Sequence, residues 1–218
     1  MSEKITLNDP KDKDNVSIKC EKLLAVEGQD EWWFFKRFLE KHLKINDVQL
    51  IDIGGESKFE DKLKALKLSP NFSTVKKIGF VRDADNDVIK SFQKIKTAID
   101  TCLKITSPST MNSWEGSLPK LGVFVLPNSL DNGMLEDLFL ESVANDPFMP
   151  CLENYIQCIE SKIPRNQQPK NKAKSKAQAF LASRKDYKSS VGLAAEAGYW
   201  NFDAPCMDEL KKFLDEFK

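Results

Sequence analysis

Short apolar runs that alternate with amphipathic helical stretches constrain this chain more than any other feature. Residues 23–26 (Leu-Leu-Ala-Val), 48–53, 75–81 and 121–126 are apolar runs too short for a buried helix, and the first three close on Glu27-Gly28, Gly54-Gly55 and Arg82-Asp83. Between them, residues 29–43 carry Trp32, Phe35 and Leu39 at helical spacing, and residues 58–68 carry Phe59, Leu63 and Leu66 on one face. A third helix is predicted over 88–103. Strands that alternate with helices predict a mostly parallel, four-stranded α/β sheet flanked by helices, because right-handed crossovers lay each helix back on the sheet.

The rest of the chain reads differently. Residues 106–119 are rich in Ser, Pro and Gly and are predicted to form a long loop. From residue 134 onward the apolar spacing is helical only, over 134–143, 148–163, 173–183, 189–197 and 205–217. This divides the chain into a polar N-terminal segment 1–19, predicted to be flexible, an α/β domain over 20–145, and a helical extension over 146–218 packed on it. With 218 residues, 41% of them hydrophobic, the chain can bury a real core. It contains no apolar run near the ~20 residues of a membrane span and no secretory start, so a cytoplasmic protein is expected, with no membrane partner.

Two counts narrow the chemistry. The five cysteines form no CxxC pair, which argues against a disulfide framework or a zinc knuckle and for reduced core thiols. A single histidine, His42, falls near a predicted helix C-terminus, where the macrodipole favours it. Carboxylates are therefore the stronger candidates. In an open α/β sheet the ligand crevice lies beyond the carboxyl ends of the strands. Here those ends carry Glu27-Gly28, then Asp83-Ala84-Asp85-Asn86-Asp87, then Pro127 followed by Glu136. Asp83 and Asp85, two apart on a departing strand, are predicted to project to one side and to join Glu27, with Asp87 beside them. Gathered like charges repel unless a cation or proton intervenes, and Mg²⁺ (or Mn²⁺) suits carboxylate oxygens. Gly28 removes bulk beside Glu27, and Gly54 and Gly55 let a neighbouring loop approach a ligand. Each piece also has a plainer reading: Glu27-Gly28 as a strand and turn, Asn86 or Asp87 as a helix N-cap, and Glu136 as an acid satisfying a helix dipole.

In this order the motifs resemble the Toprim domain shared by bacterial primases, topoisomerases, recombination-repair proteins and the overcoming-lysogenization-defect nucleases. The chain is most similar to a compact, functionally uncharacterised family of stand-alone Toprim-like proteins. There the later motifs match Pro127 with Gly133-Met134-Leu135-Glu136-Asp137-Leu138, and the tail Gly198-Tyr199-Trp200-Asn201-Phe202. The resemblance implies a Toprim/Rossmann-like fold, Glu27 as general acid or base or as metal ligand, Asp83 and Asp85 as Mg²⁺ ligands, and Glu136 as a further acid. Topoisomerase activity is not expected, since Tyr155, Tyr187 and Tyr199 have no companion domain beside them.

One further surface stands out. Residues 162–185 hold eight basic residues and no acid, among them Lys170, Lys172, Lys174, Lys176, Arg184 and Lys185. They could engage the phosphates of DNA or RNA, or form a solvated connector. The expectation is a Mg²⁺-dependent phosphoryl-transfer protein, a nuclease. The alternative is a non-catalytic regulatory module that binds metal, nucleotide or nucleic acid. Trp32, Trp33, Phe34, Phe35 and Phe38 read as core, and Trp200 as a residue docking the tail.

Overall fold

A computed structural model describes residues 17–55 and 57–218. Most of the predicted N-terminal segment, residues 1–16, lies outside the described residues. Four strands, β1 (Lys22–Val26), β2 (Val48–Asp52), β3 (Lys77–Asp83) and β5 (Lys120–Leu126), run parallel, and the sheet order is β2-β1-β3-β5-β4. Mixed α/β architecture with a mostly parallel sheet is as the sequence predicts. The fifth strand, β4 (Ser113–Glu115), is an antiparallel edge inside the stretch read as a long loop.

Steric fit explains that edge. Trp114 of β4 lies over the sheet where Gly79 and Gly122 leave room, and its Nε1 donates to the Phe213 carbonyl at 3.0 Å. A Cβ on Gly122 would stand 2.5 Å from two indole carbons and 2.9 Å from the Phe213 ring. Gly122→Ala is therefore expected to cost about 2 to 3 kcal/mol, lowering Tm by roughly 5 to 10 °C in a thermal melt.

The two faces are covered by different helices. On one, Ala25, Ile51, Ile78, Phe80 and Val123 meet α2 (Phe59–Leu68) and α3 (Val88–Ala98) through Phe59, Leu63, Phe92 and Ile95. On the other, Leu24, Val26, Val81 and Phe124 meet α1 (Gln29–Arg37), α4 (Leu135–Ser142), α6 (Lys172–Ala182), α7 (Val191–Glu196) and α8 (Asp208–Asp215). The C-terminal helices thus share one core with the sheet. α5 (Met149–Lys162) packs on α6 and buries only Met149 and Leu152. Its Cys151 and Cys158 are exposed, which corrects the expectation that all five thiols sit in the core. No helix among the described residues is long and apolar enough to cross a membrane.

Lysines at the opposite, amino ends of three strands hold the chain's tail. Lys22 donates to the Phe217 carbonyl at 2.7 Å, Lys77 to the Glu216 carbonyl, and Lys120 pairs with the Glu216 carboxylate at 2.6 Å. The carboxyl ends of the strands remain available for a site.

Candidate functional site

Three structural facts build the acidic edge. Glu27 follows β1 directly, and α1 begins two residues later with Asp30 and Glu31 in its first turn. β3 extends to Asp83, two residues beyond the predicted strand, because it pairs with β5 as far as Leu126. The Asp83 Oδ1 then accepts the Leu135 N–H at 3.0 Å, so this carboxylate caps α4 and brings Glu136 beside it. An anion at a helix N-terminus is favoured by the unpaired N–H groups and the dipole.

Burial then concentrates negative charge. Desolvation, and next the charges of Glu31, Glu27 and Glu136, push the Asp83 carboxyl well above the usual carboxylate range. Glu31 is pushed up from 4.5 to about 7, first by burial, with Glu27, Asp30 and Glu136 adding. Glu136 is raised chiefly by burial, and Lys174 opposes the rise. Asp83 thus lies in the field of three carboxylates, Glu27 after β1, Glu31 of α1 and Glu136 of α4, at the sheet's crest. Glu31 did not stand out in the sequence, where an acid in a first helical turn is already satisfied by the dipole. Its position four residues after Glu27, on the helix that leaves the same strand, was the available signal.

The linkage follows from the raised values. A carboxyl whose folded pKa exceeds its unfolded one destabilises the fold once both states are ionised. Glu31 costs nothing well below pH 4.5, costs progressively more from there up to about pH 7, and its full amount above that. We expect Glu31→Gln, without divalent cations, to match the parent at pH 4 and to gain on the order of 2 to 3 kcal/mol at pH 8, read by denaturant titration.

Of the other expected site residues, Asp85 and Asp87 stand apart from this group, while Gly28 and Gly55 border it. Asp85 is exposed, has a φ of 52°, and donates its N–H to the Gly133 carbonyl at 2.8 Å. Asp87 is the N-cap of α3, its Oδ1 accepting from Lys90 N at 2.9 Å. Gly28 is the extended N-cap residue of α1. Gly54 turns at φ 69°, a left-handed conformation that suits glycine, and the Cβ position of Gly55 lies 3.7 Å from Glu27 Oε1, open toward that carboxylate. Glu27 Oε2 accepts from Arg82 Nε at 3.2 Å.

Three of the eight basic residues in 162–185 pair with acids of α5 and its N-terminal flank. Lys172 pairs with Glu160, Lys176 with Glu153, and Arg184 with Asp146 at 2.6 Å while stacking on Phe180 and Phe148. Lys170 and Lys185 are exposed. Lys174 faces the acids, in a cleft of about 470 Å³ lined also by Asp30, Glu31, Trp33, Glu136 and Ser190.

A family model described as protein of unknown function (DUF3226) matches residues 21–218. The chain belongs to this family. The matched span of this DUF3226 chain holds the whole sheet, the acidic edge and every C-terminal helix. No curated protein matches it significantly. Among solved structures, it is similar to a hypothetical protein of Pyrococcus horikoshii OT3, at 14% identity over 90% of this chain and 94% of that one, with a TM-score of 0.46. A second similar structure is the C-terminal region of the OLD protein of Xanthomonas campestris pv. campestris, at 13% identity over 90% and 85%, with a TM-score of 0.38.

The donor set at the DUF3226 acidic edge has the chemistry of a hard-cation site: carboxylate oxygens, without thiol or imidazole. Among the described residues, no three His, Cys, Asp or Glu side chains stand grouped at metal-holding spacing.

Proposed function

We propose that this protein is a divalent-cation-dependent phosphoryl-transfer enzyme, a nuclease acting on DNA or RNA. The observation that carries this reading is geometric: Glu27 after β1, Glu31 in the first turn of α1, and Asp83 at the end of β3 joined to α4 beside Glu136, all at the carboxyl edge of a parallel sheet, where burial raises Asp83, Glu31 and Glu136. A fold retains such a cost where the charges have work to do. Mg²⁺ or Mn²⁺ held by Asp83, Glu31 and Glu27 would polarise a phosphate oxygen and lower the pKa of a bound water. Gathering these ligands requires Glu27 to turn away from Arg82, a side-chain rotation that Gly55 leaves room for.

The chain's own residues then have separate tasks. Lys174 offsets the charge of an incoming phosphate on the Glu136 side. Glu136, raised by burial, stands beside the other acids where it would hold or release a proton. Trp33 offers an apolar wall to a base or sugar. The Toprim resemblance of the Glu27-Gly28 and Asp83-Ala84-Asp85 motifs supports the same chemistry.

The test is cleavage of labelled single- and double-stranded DNA and RNA with Mg²⁺, with Mn²⁺ and with EDTA. Cleavage is expected only with a divalent cation, and Glu27→Gln is expected to slow it by about a hundredfold or more. Cleavage that persists in EDTA, or at the parent rate in Glu27→Gln, overturns the proposal. The alternative, a non-catalytic module that binds metal, nucleotide or nucleic acid, is favoured by the pairing of Lys172, Lys176 and Arg184 with acids. It expects binding without turnover.

A further inference from the structure

On the α2/α3 side of the crest a second cleft, of about 460 Å³, lies outside the carboxylate group. Its floor is Arg82 with Phe59 and Ala98. Its wall is one stripe of α3, Lys90, Gln93, Lys94 and Thr97, spaced as a single helix face. Alternation along β3 sends Arg82 to this face and Asp83 to the other. The Arg82 side chain is only 10% exposed, its guanidinium lies 4.7 Å over the Phe59 ring, and its Nε bonds Glu27.

Charge and shape point to one kind of ligand. The Arg82 Nη groups donate to no described residue, so one edge of the guanidinium fork has unused donors in a cleft. That edge is matched to a planar or tetrahedral oxyanion. Lys90 adds an exposed cation, and Thr97 a hydroxyl, on the same stripe. Among the described residues the acid lining the cleft is Glu60, 4.0 Å from Lys64 of its own helix. Phe59, Ala98 and the lysine stems give the cleft an apolar part, with room for a sugar attached to the phosphate. Glu27 couples the two clefts. When it turns toward a cation, Arg82 Nε is released as a further donor.

We infer that the α2/α3 cleft is a phosphate subsite, in which Arg82 and Lys90 grip a backbone phosphate of the nucleic acid whose neighbouring phosphate lies at the carboxylates. The subsite rests on the nuclease reading for its substrate, while its binding needs no metal.

The experiment is fluorescence anisotropy of a labelled 12-nucleotide single-stranded DNA in EDTA, across a KCl series, with the parent, Lys90→Glu and Arg82→Lys. Lys90 is on the surface, so its variant keeps the fold. Lys90→Glu is expected to weaken binding by about tenfold and to flatten the salt slope by about one phosphate contact. Arg82→Lys keeps the charge, loses the fork, and is expected to weaken binding as well. Inorganic phosphate should compete with the oligonucleotide in the parent and poorly in Lys90→Glu. A parent that binds nothing in EDTA, or a Lys90→Glu with the parent's affinity and slope, overturns the subsite. Loss of binding in Lys90→Glu by a protein that never cleaves with Mg²⁺ keeps the subsite and removes the nuclease reading. Mg²⁺-dependent cleavage with unchanged binding in Lys90→Glu does the reverse.

Discussion

Asp83→Asn is expected to abolish divalent-cation-dependent cleavage, by ~10³-fold, while raising the melting temperature of the metal-free protein at pH 8. The two effects have one cause. Asp83 is half-buried in the field of Glu31, Glu27 and Glu136, and its carboxyl is held well above the ordinary range, so ionising it costs the fold free energy. Asparagine is nearly isosteric, and its Oδ1 can still accept the Leu135 N–H that Asp83 takes at 3.0 Å, so the α4 cap survives. Only the charge is lost. A raised carboxyl pKa lowers stability as pH climbs from the unfolded value through the folded one, so the gain vanishes in acid and is full at alkaline pH. A variant that is both inactive and less stable at pH 8 would mean that Asp83 serves the fold rather than a site.

Trp200→Ala is expected to cost about 3 to 5 kcal/mol, and about 8 to 15 °C in Tm by calorimetry. Trp200 is buried between Phe139 of α4, at 4.6 Å and 2° between planes, and Phe180 of α6, at 5.3 Å and 22°. Its Nε1 donates to the Val191 carbonyl at 2.9 Å, so truncation leaves a ring-sized cavity and removes that hydrogen bond as well. α4 and α6 are also the helices that carry Glu136 and Lys174. Loosening them is expected to separate the acid from the cation, so residual activity should fall further than the folded fraction alone accounts for. Trp200→Phe keeps the stack and should recover most of the stability.

Sequence legibility followed burial. β1, β2, β3 and β5 are covered on both faces, so their centres are mainly apolar, with Gln49 the polar exception in β2, and their helical connections show a single apolar stripe. β4 was illegible because three residues carry no period, and what holds them is the fit of Trp114 over Gly122, a contact with a distant segment. The ends of two predicted helices are π-helical, Phe38–Leu43 and Ile99–Leu103, a local widening that apolar spacing does not announce.

The acidic edge was legible at Glu27, Asp83 and Glu136, whose places depend on strand ends. Asp85 differs because alternation orients side chains only while the backbone stays extended, and its left-handed φ ends that rule one residue after Ala84. Asp87 took its plainer role as a helix cap. The basic residues of 162–185 looked unopposed because Asp146, Glu153 and Glu160, which pair with them, precede that window along the chain. His42 lies in the last turn of its helical segment, stacked on Phe38 and 3.6 Å from Asp203.

Calorimetric titration of the parent and of Asp83→Asn with MnCl₂ at pH 8 addresses the carboxylate site most directly. The parent should bind Mn²⁺ and release protons from its raised carboxyls, and the variant should bind at least about tenfold more weakly. Equal affinity in the two proteins, or no Mn²⁺ binding by the parent, would contradict the proposed cation site.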